Sequence, residues 1–106
     1  MASGKDYLAF ILDQLSELED IGFRPMMGEY ILYYRGRVFG GIYDDRFLVK
    51  PVKAARERLL HAALEPPYEG AGDMLLVDEV EDRGFLHDLV EAMYEELPAP
   101  KKKKKQ

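Results

Sequence analysis

Leu8, Ile11, Leu12, Leu15 and Leu18 recur at steps of three and four. That spacing gathers apolar side chains on one side of a helix and predicts one over residues 6–20. Ser3 and Asp6 have the spacing of a capping box, with Asp in place of the usual Glu. Gly22 fits the left-handed residue that closes such a helix. From Arg24 the period shortens. Glu29–Tyr34, Val38–Tyr43 and Arg46–Lys50 are runs rich in β-branched and aromatic residues. They are separated by Arg35-Gly36-Arg37 and Asp44-Asp45, tight polar breaks that predict an antiparallel meander. Gly40 and Gly41 interrupt the middle run and point to a bulge or a close backbone approach. Alternation is imperfect, so the facing of these side chains is open by one register step.

Pro51 suits the first turn of a second helix reaching Leu64, with Val52, Ala55, Leu59, Leu60 and Ala63 on one side. The Pro- and Gly-rich stretch 65–72 is a loop, and Met74–Val77 reads as a fourth strand. Asp82 is placed to cap a last helix striped by Phe85, Leu86, Leu89, Val90, Met93 and Leu97. The order α-β-β-β-α-β-α predicts an α+β domain, a small antiparallel sheet packed with helices. Pro98, Ala99 and Pro100 end the last helix, and Lys101–Lys105 repel one another. The expectation is one domain over 1–97 and a disordered Lys-rich tail over 98–106.

Composition narrows the function classes. The chain has 106 residues, 47% of them apolar, which suits one folded domain. Cysteine is absent, so disulfides, thiolate metal sites and thiol chemistry are excluded. No apolar run approaches the roughly 18 residues of a membrane span, and no signal-peptide core opens the chain. A cytoplasmic location, away from membranes, is expected.

The net charge of −5 is unevenly spread. Residues 24–58 hold eight basic residues against four acids, whereas 59–100 hold Arg83 alone against eleven. The lysines at the end mask how acidic the rest is, and an acidic body repels nucleic acid at long range. Direct nucleic-acid binding is therefore disfavoured. The lysine run reads as a solubilising tail, as one that folds back on the acidic surface, or as an arm for anionic surfaces.

A reaction finds little support. His61 and His87 lie 26 positions apart, far from the spacing of a helical metal pair. Ser3 and Ser16 are the two serines and threonine is absent, which leaves few nucleophiles. Asp44-Asp45 is explained as turn chemistry. Asp78, Glu79, Glu81 and Asp82 suit the start of a helix, although they also allow a small metal-dependent enzyme. Gly36, Gly40 and Gly41 lack the Lys-Ser/Thr of a phosphate loop. No catalytic, cofactor or metal residue is assigned.

The basic middle offers the candidate interaction surface. Arg35 and Arg37 flank a turn, with Tyr33, Tyr34 and Tyr43 nearby. Arg24, Tyr33, Arg35, Arg37, Tyr43, Arg46 and Lys50 make up that surface. Arginines beside aromatics anchor protein interfaces or stack on bases, and they equally pair with acids of the same chain.

The order of short motifs adds a resemblance. Arg24-Pro-Met-Met-Gly-Glu-Tyr-Ile-Leu-Tyr-Tyr34, then Gly36-Arg37-Val38-Phe39-Gly40, then Asp45-Arg46-Phe47-Leu48-Val49-Lys50 resemble the N-terminal domain of the TfoX/Sxy family across about residues 6–97. The Gly-Gly usual after the methionine is Gly28-Glu29 here. The resemblance implies a regulatory adaptor that makes protein contacts, with no catalytic role for Met26, Met27 or Gly28. Members of that family regulate bacterial competence and are thought to act with the cyclic-AMP receptor protein. Such regulators usually add a C-terminal helical domain, so this chain is expected to stand alone. A homodimer through an exposed strand edge is a second partner expectation. Two alternatives accompany the adaptor: a nucleic-acid accessory factor using 24–58 and the lysine tail, and the metal-dependent enzyme using acids 78–82.

Overall fold

The structure is a computed structural model and describes residues 4–98. The Ser3 half of the capping box and the tail from Ala99 onward lie outside the described residues. Helix α1 (Lys5–Gln14) is capped at Gly4, whose N–H donates to Asp45 Oδ1 at 2.8 Å. Leu8 and Ile11 are buried, and so are Leu15 and Leu18, although the regular helix ends before them. No basic residue stands in its last turn, and Glu17, Glu19 and Asp20 follow. Negative charge at a helix C-terminus opposes the macrodipole, so the chain leaves the helix early and keeps the leucines inward through turns.

The expected role of Gly22 is corrected. Asp20 takes the left-handed conformation (φ 62°), and Gly22 lies within a strand that the sequence pattern did not reveal, β1 (Ile21–Met26). The meander then runs through β2 (Glu29–Tyr34), β3 (Arg37–Tyr43) and β4 (Arg46–Val49). Three two-residue turns join them, at Met27-Gly28, Arg35-Gly36 and Asp44-Asp45. All six turn residues have positive φ, the signature of type I′ hairpins whose twist matches that of the strands.

Helix α2 (Lys53–Arg58) is much shorter than the helix expected to reach Leu64, and Pro51 precedes its N-cap, Val52, instead of opening its first turn. Ala55 is buried within it, while Leu60 is 77% exposed, so the predicted apolar side has no continuous surface to cover. The chain breaks at Leu59 (φ −120°) and supplies a short strand, β5 (Leu64–Glu65). That strand pairs with β6 (Met74–Leu76), the expected fourth strand. Helix α3 (Arg83–Met93) follows, and Asp82 Oδ1 caps it by accepting from the Phe85 N–H at 3.0 Å. A 3-10 turn over Tyr94–Glu96 ends the described fold. The element order is thus α-β-β-β-β-α-β-β-α, an α+β domain with two strands more than expected.

The sheet is antiparallel, in the order β1-β2-β3-β4-β6-β5. Leu32 faces Gly40 and Tyr33 faces Val38, so Phe39 is the extra residue of a bulge. Fully buried, Phe39 meets the Phe47 ring edge-on at 6.4 Å. Both glycines after it are required by neighbours. A Cβ on Gly40 would strike the Leu48 carbonyl, and one on Gly41 would come within 2.6 Å of the Tyr30 carbonyl.

One sheet face packs on the helices through Leu32, Tyr34, Phe47 and Val49 against Ile11, Leu86, Leu89 and Met93. Successive strand residues point to opposite faces, so Leu48 and Arg46 lie on the other side. There Leu48 is fully buried, Pro67 is buried and the Tyr68 ring approaches Tyr43 at 6.3 Å. The 65–72 loop thereby covers part of the far face. No helix among the described residues is long and apolar enough to cross a membrane.

Candidate interaction surface

The structure divides the basic cluster into two groups. Arg37 opens β3 and places its guanidinium 4.4 Å from the Tyr94 ring centroid. Its Nη1 donates to the carbonyls of Tyr94 at 3.1 Å and Leu97 at 3.3 Å. The Nε beside it is buried without a hydrogen-bond partner. Arg46 opens β4, where its Nη1 reaches Glu65 Oε1 at 2.7 Å and its fork donates to the carbonyls of Pro66 and Pro67 at 3.3 Å. Tyr43 is 6% exposed. These three side chains are committed to holding the fold. Lys50 is half-buried just past β4, where its N–H donates to the Phe39 carbonyl at 2.9 Å.

Arg24, Tyr33 and Arg35 remain together at the outer end of the sheet. They line an open concavity of about 690 Å³ whose other walls include Glu19, Asp20 and Phe23. Arg24 is exposed on β1, and Phe23 is 47% exposed beside it. Arg35 sits in the β2–β3 turn with its guanidinium 5.3 Å from the Tyr34 ring and 5.6 Å from the Tyr94 ring. The group lies near both rings and stays exposed. Phe23 and Asp20, which sequence reasoning did not single out, belong to the same surface. The available signal was the apolar spacing of Ile21 and Phe23, obscured by Gly22 and Pro25.

The histidines stay apart from this surface. His87 Nδ1 lies 3.8 Å from Glu91 and 3.9 Å from Asp88, all on α3. Exposed His61 follows α2 and shares a concavity of about 310 Å³ with Asp78 and Glu79. Asp78, Glu79, Glu81 and Asp82 line another open hollow, of about 750 Å³, next to Arg83. Asp82 is occupied as the α3 cap, and Arg83 pairs with Asp13 on α1 at 2.7 Å. No group of three or more His, Cys, Asp or Glu suited to a metal ion occurs among the described residues.

The fold shifts the protonation of Tyr43 and of Tyr7. Burial foremost, then the charges of Tyr68, Glu29 and Tyr33, pushes the Tyr43 phenol above 10.0. Burial, then Asp45 and Asp78, does the same for Tyr7. Neither shift creates a group that exchanges protons near neutrality.

Comparison with known proteins finds relatives by sequence. The sequence model of the TfoX N-terminal domain matches residues 13–96. A relative from Spirochaeta aurantia, described as an uncharacterized 12.7 kDa protein in the trpE 5′ region, is 37% identical over 105 residues. The match covers 98% of this chain and 91% of the relative. No solved structure matches. The Met-x-Gly step that carried the resemblance is the β1–β2 type I′ turn with its approach, and the Asp45–Lys50 motif forms a turn, a strand and its exit. The matched span takes in all six strands and α3, and the chain belongs to the TfoX N-terminal domain family.

Proposed function

We propose that this TfoX-type domain is a non-enzymatic regulatory adaptor of the cytoplasm, acting by protein–protein contact in transcription regulation. The observation that carries the reading is the surface around β1. Arg24 and Arg35 are exposed there around half-buried Tyr33, and Phe23 is exposed on the other face of the same edge strand, while Arg37 and Arg46 of the same basic stretch are engaged within the fold. Two arginines beside Tyr33 around a hollow, with Phe23 on the same edge strand, are the side chains that anchor protein interfaces. The reading calls for no cofactor. The resemblance to the competence regulators supplies a transcription factor such as the cyclic-AMP receptor protein as the class of partner.

The test is affinity capture of the tagged full chain from its native cytoplasm, with the bound proteins identified. A transcription factor retained by the wild type and lost on Phe23→Ser or Arg35→Ala supports the adaptor. Retention of nucleic acid instead, with affinity falling steeply between about 50 and 200 mM salt, supports the accessory-factor reading. A melting temperature raised by a divalent cation, coupled to loss of that shift on Asp78→Asn, supports the enzyme reading.

A further inference from the structure

Strand β1 is the outer strand of the sheet, and its hydrogen-bonding edge is fixed by register. The Asp20 carbonyl accepts from the Arg35 N–H at 3.0 Å. Asp20 therefore faces β2, and by alternation Gly22, Arg24 and Met26 do the same. Ile21, Phe23 and Pro25 turn their backbone groups outward. The opposite outer strand, β5, has only two residues, so β1 is the long free edge among the described elements. Pro25 has no N–H, which leaves the Ile21 and Phe23 amides as the outward donors of the strand.

Gly22 stands at the centre of that edge without an internal reason to be glycine. Its φ is not positive, and a Cβ on it would meet nothing within 4 Å. Gly40 and Gly41, by contrast, are forced by backbone contacts inside the domain. The edge of β1 at Gly22 is thus clear of the domain's own atoms.

We propose that the partner at this edge is a second copy of the chain, with β1 pairing antiparallel to β1 of the second copy about a two-fold axis at Gly22. This rests on the protein-contact reading above and names one partner for it. The register follows from the edge. Pairing Ile21 with Phe23 of the second copy lets both residues exchange their N–H and C=O groups, and the symmetry repeats the exchange. A shift that placed Pro25 opposite Ile21 would lose a donor.

The same register matches side chains on both faces. Ile21 meets Phe23 of the second copy on the helix-packed face, where Phe23 already touches Tyr30 edge-on at 5.9 Å. That apolar pair extends the core across the axis. Arg24 of each strand runs toward the turn that holds Asp20 of the second copy, which brings opposite charges near each other. Gly22 meets Gly22 of the second copy on the axis, so neither strand places a side chain on the far face there. The pattern acid, apolar, glycine, apolar, base over Asp20–Arg24 is its own complement in antiparallel pairing. Tyr33 and Arg35 stay on the next strand and turn, outside the pairing, for another protein.

Sedimentation velocity and hydrogen exchange of the purified full chain over a concentration series test the proposal. A monomer–dimer equilibrium is expected, in which the Ile21 and Phe23 amides gain protection as concentration rises. The Gly22 and Arg24 amides, bonded to β2, should be protected throughout. Phe23→Pro, which removes an outward N–H and leaves the bonds of Gly22 and Arg24 to β2, should raise the dimer dissociation constant at least about tenfold. Arg24→Glu, which sets like charges opposite each other, should also weaken the dimer, and adding Asp20→Asn should restore part of it. If Phe23→Pro does not fold, the Arg24→Glu and Asp20→Asn pair decides alone. A chain that stays monomeric overturns the proposal, as does a dimer without new protection at Ile21 and Phe23, or one indifferent to these substitutions. Since only purified protein is used, a monomeric result leaves capture of a heterologous partner standing. An empty capture likewise leaves self-pairing standing.

Discussion

Arg37 on β3 clamps Tyr94 at the end of α3: its guanidinium lies 4.4 Å from the ring centroid and donates to the backbone carbonyl of the same residue at 3.1 Å. The Tyr94 ring also meets Tyr34 edge-on at 5.4 Å. One arginine thereby ties the sheet to the segment after the last helix. Arg37→Ala should cost about 2–3 kcal/mol, since charged hydrogen bonds contribute about 1.5–3 kcal/mol. Arg37→Lys should recover only part, because an ammonium lacks the planar fork that stacks and donates at once. Urea midpoints at an unchanged slope would measure both.

Two glycines should respond in opposite ways to alanine. Gly40→Ala drives a methyl into the Leu48 carbonyl and the Val49 Cα, backbone atoms that cannot swing aside. A loss of about 3 kcal/mol is expected, at the upper end of overpacking costs. Gly22→Ala has open space and ordinary strand φ, so monomer stability should stay within about 0.5 kcal/mol of the wild type. Thermal unfolding at low concentration separates the two.

Arg46 pins the loop that covers the far face. Beyond its 2.7 Å pair with Glu65, its Nε donates to the Tyr43 carbonyl at 3.1 Å and its fork to Pro66 and Pro67. The ion pair is partly exposed and should contribute less than about 1 kcal/mol, so Glu65→Gln is expected to be mild. Arg46→Ala removes the carbonyl contacts as well. Limited proteolysis should then cut within 65–72 markedly faster, while global stability falls less than for Arg37→Ala.

The raised tyrosines set the alkaline limit. Burial raises Tyr43 and Tyr7 above 10.0 in the folded chain, so the unfolded chain releases these protons first as pH rises. Their contribution is fully present below pH 10.0 and is lost as pH climbs through the higher folded values. Denaturant midpoints should fall above that pH, in step with tyrosinate absorbance. Tyr43→Phe should flatten that fall without altering the profile near neutrality.

Much of the fold is local enough to be read directly. The stripe of α3 and its Asp82 cap are short-range features, and both stand where the spacing places them. The hairpins at Arg35-Gly36 and Asp44-Asp45 are equally local, because residues tolerant of positive φ mark them. The apolar positions of α1 were also legible, although its end was not. Leu15 and Leu18 are buried whether helix or turn carries them, so burial alone does not mark the boundary.

What the sequence settled by itself is the alternation of helices and hairpins, the apolar stripes of α1 and α3 and the motif order that places the chain in its family. Only the tertiary structure decided that Ile21–Met26 is a strand, since its glycine and proline oppose that state and the bonds to β2 supply the reason. It also decided that α2 stops after Arg58, where β6 offers a partner for Leu64 and Glu65. The basic stretch divides for the same physical cause. Charge is written in each residue, but the group that takes it up is not: Arg37 finds Tyr94 57 positions away, whereas Arg24 stays exposed at the edge of the sheet.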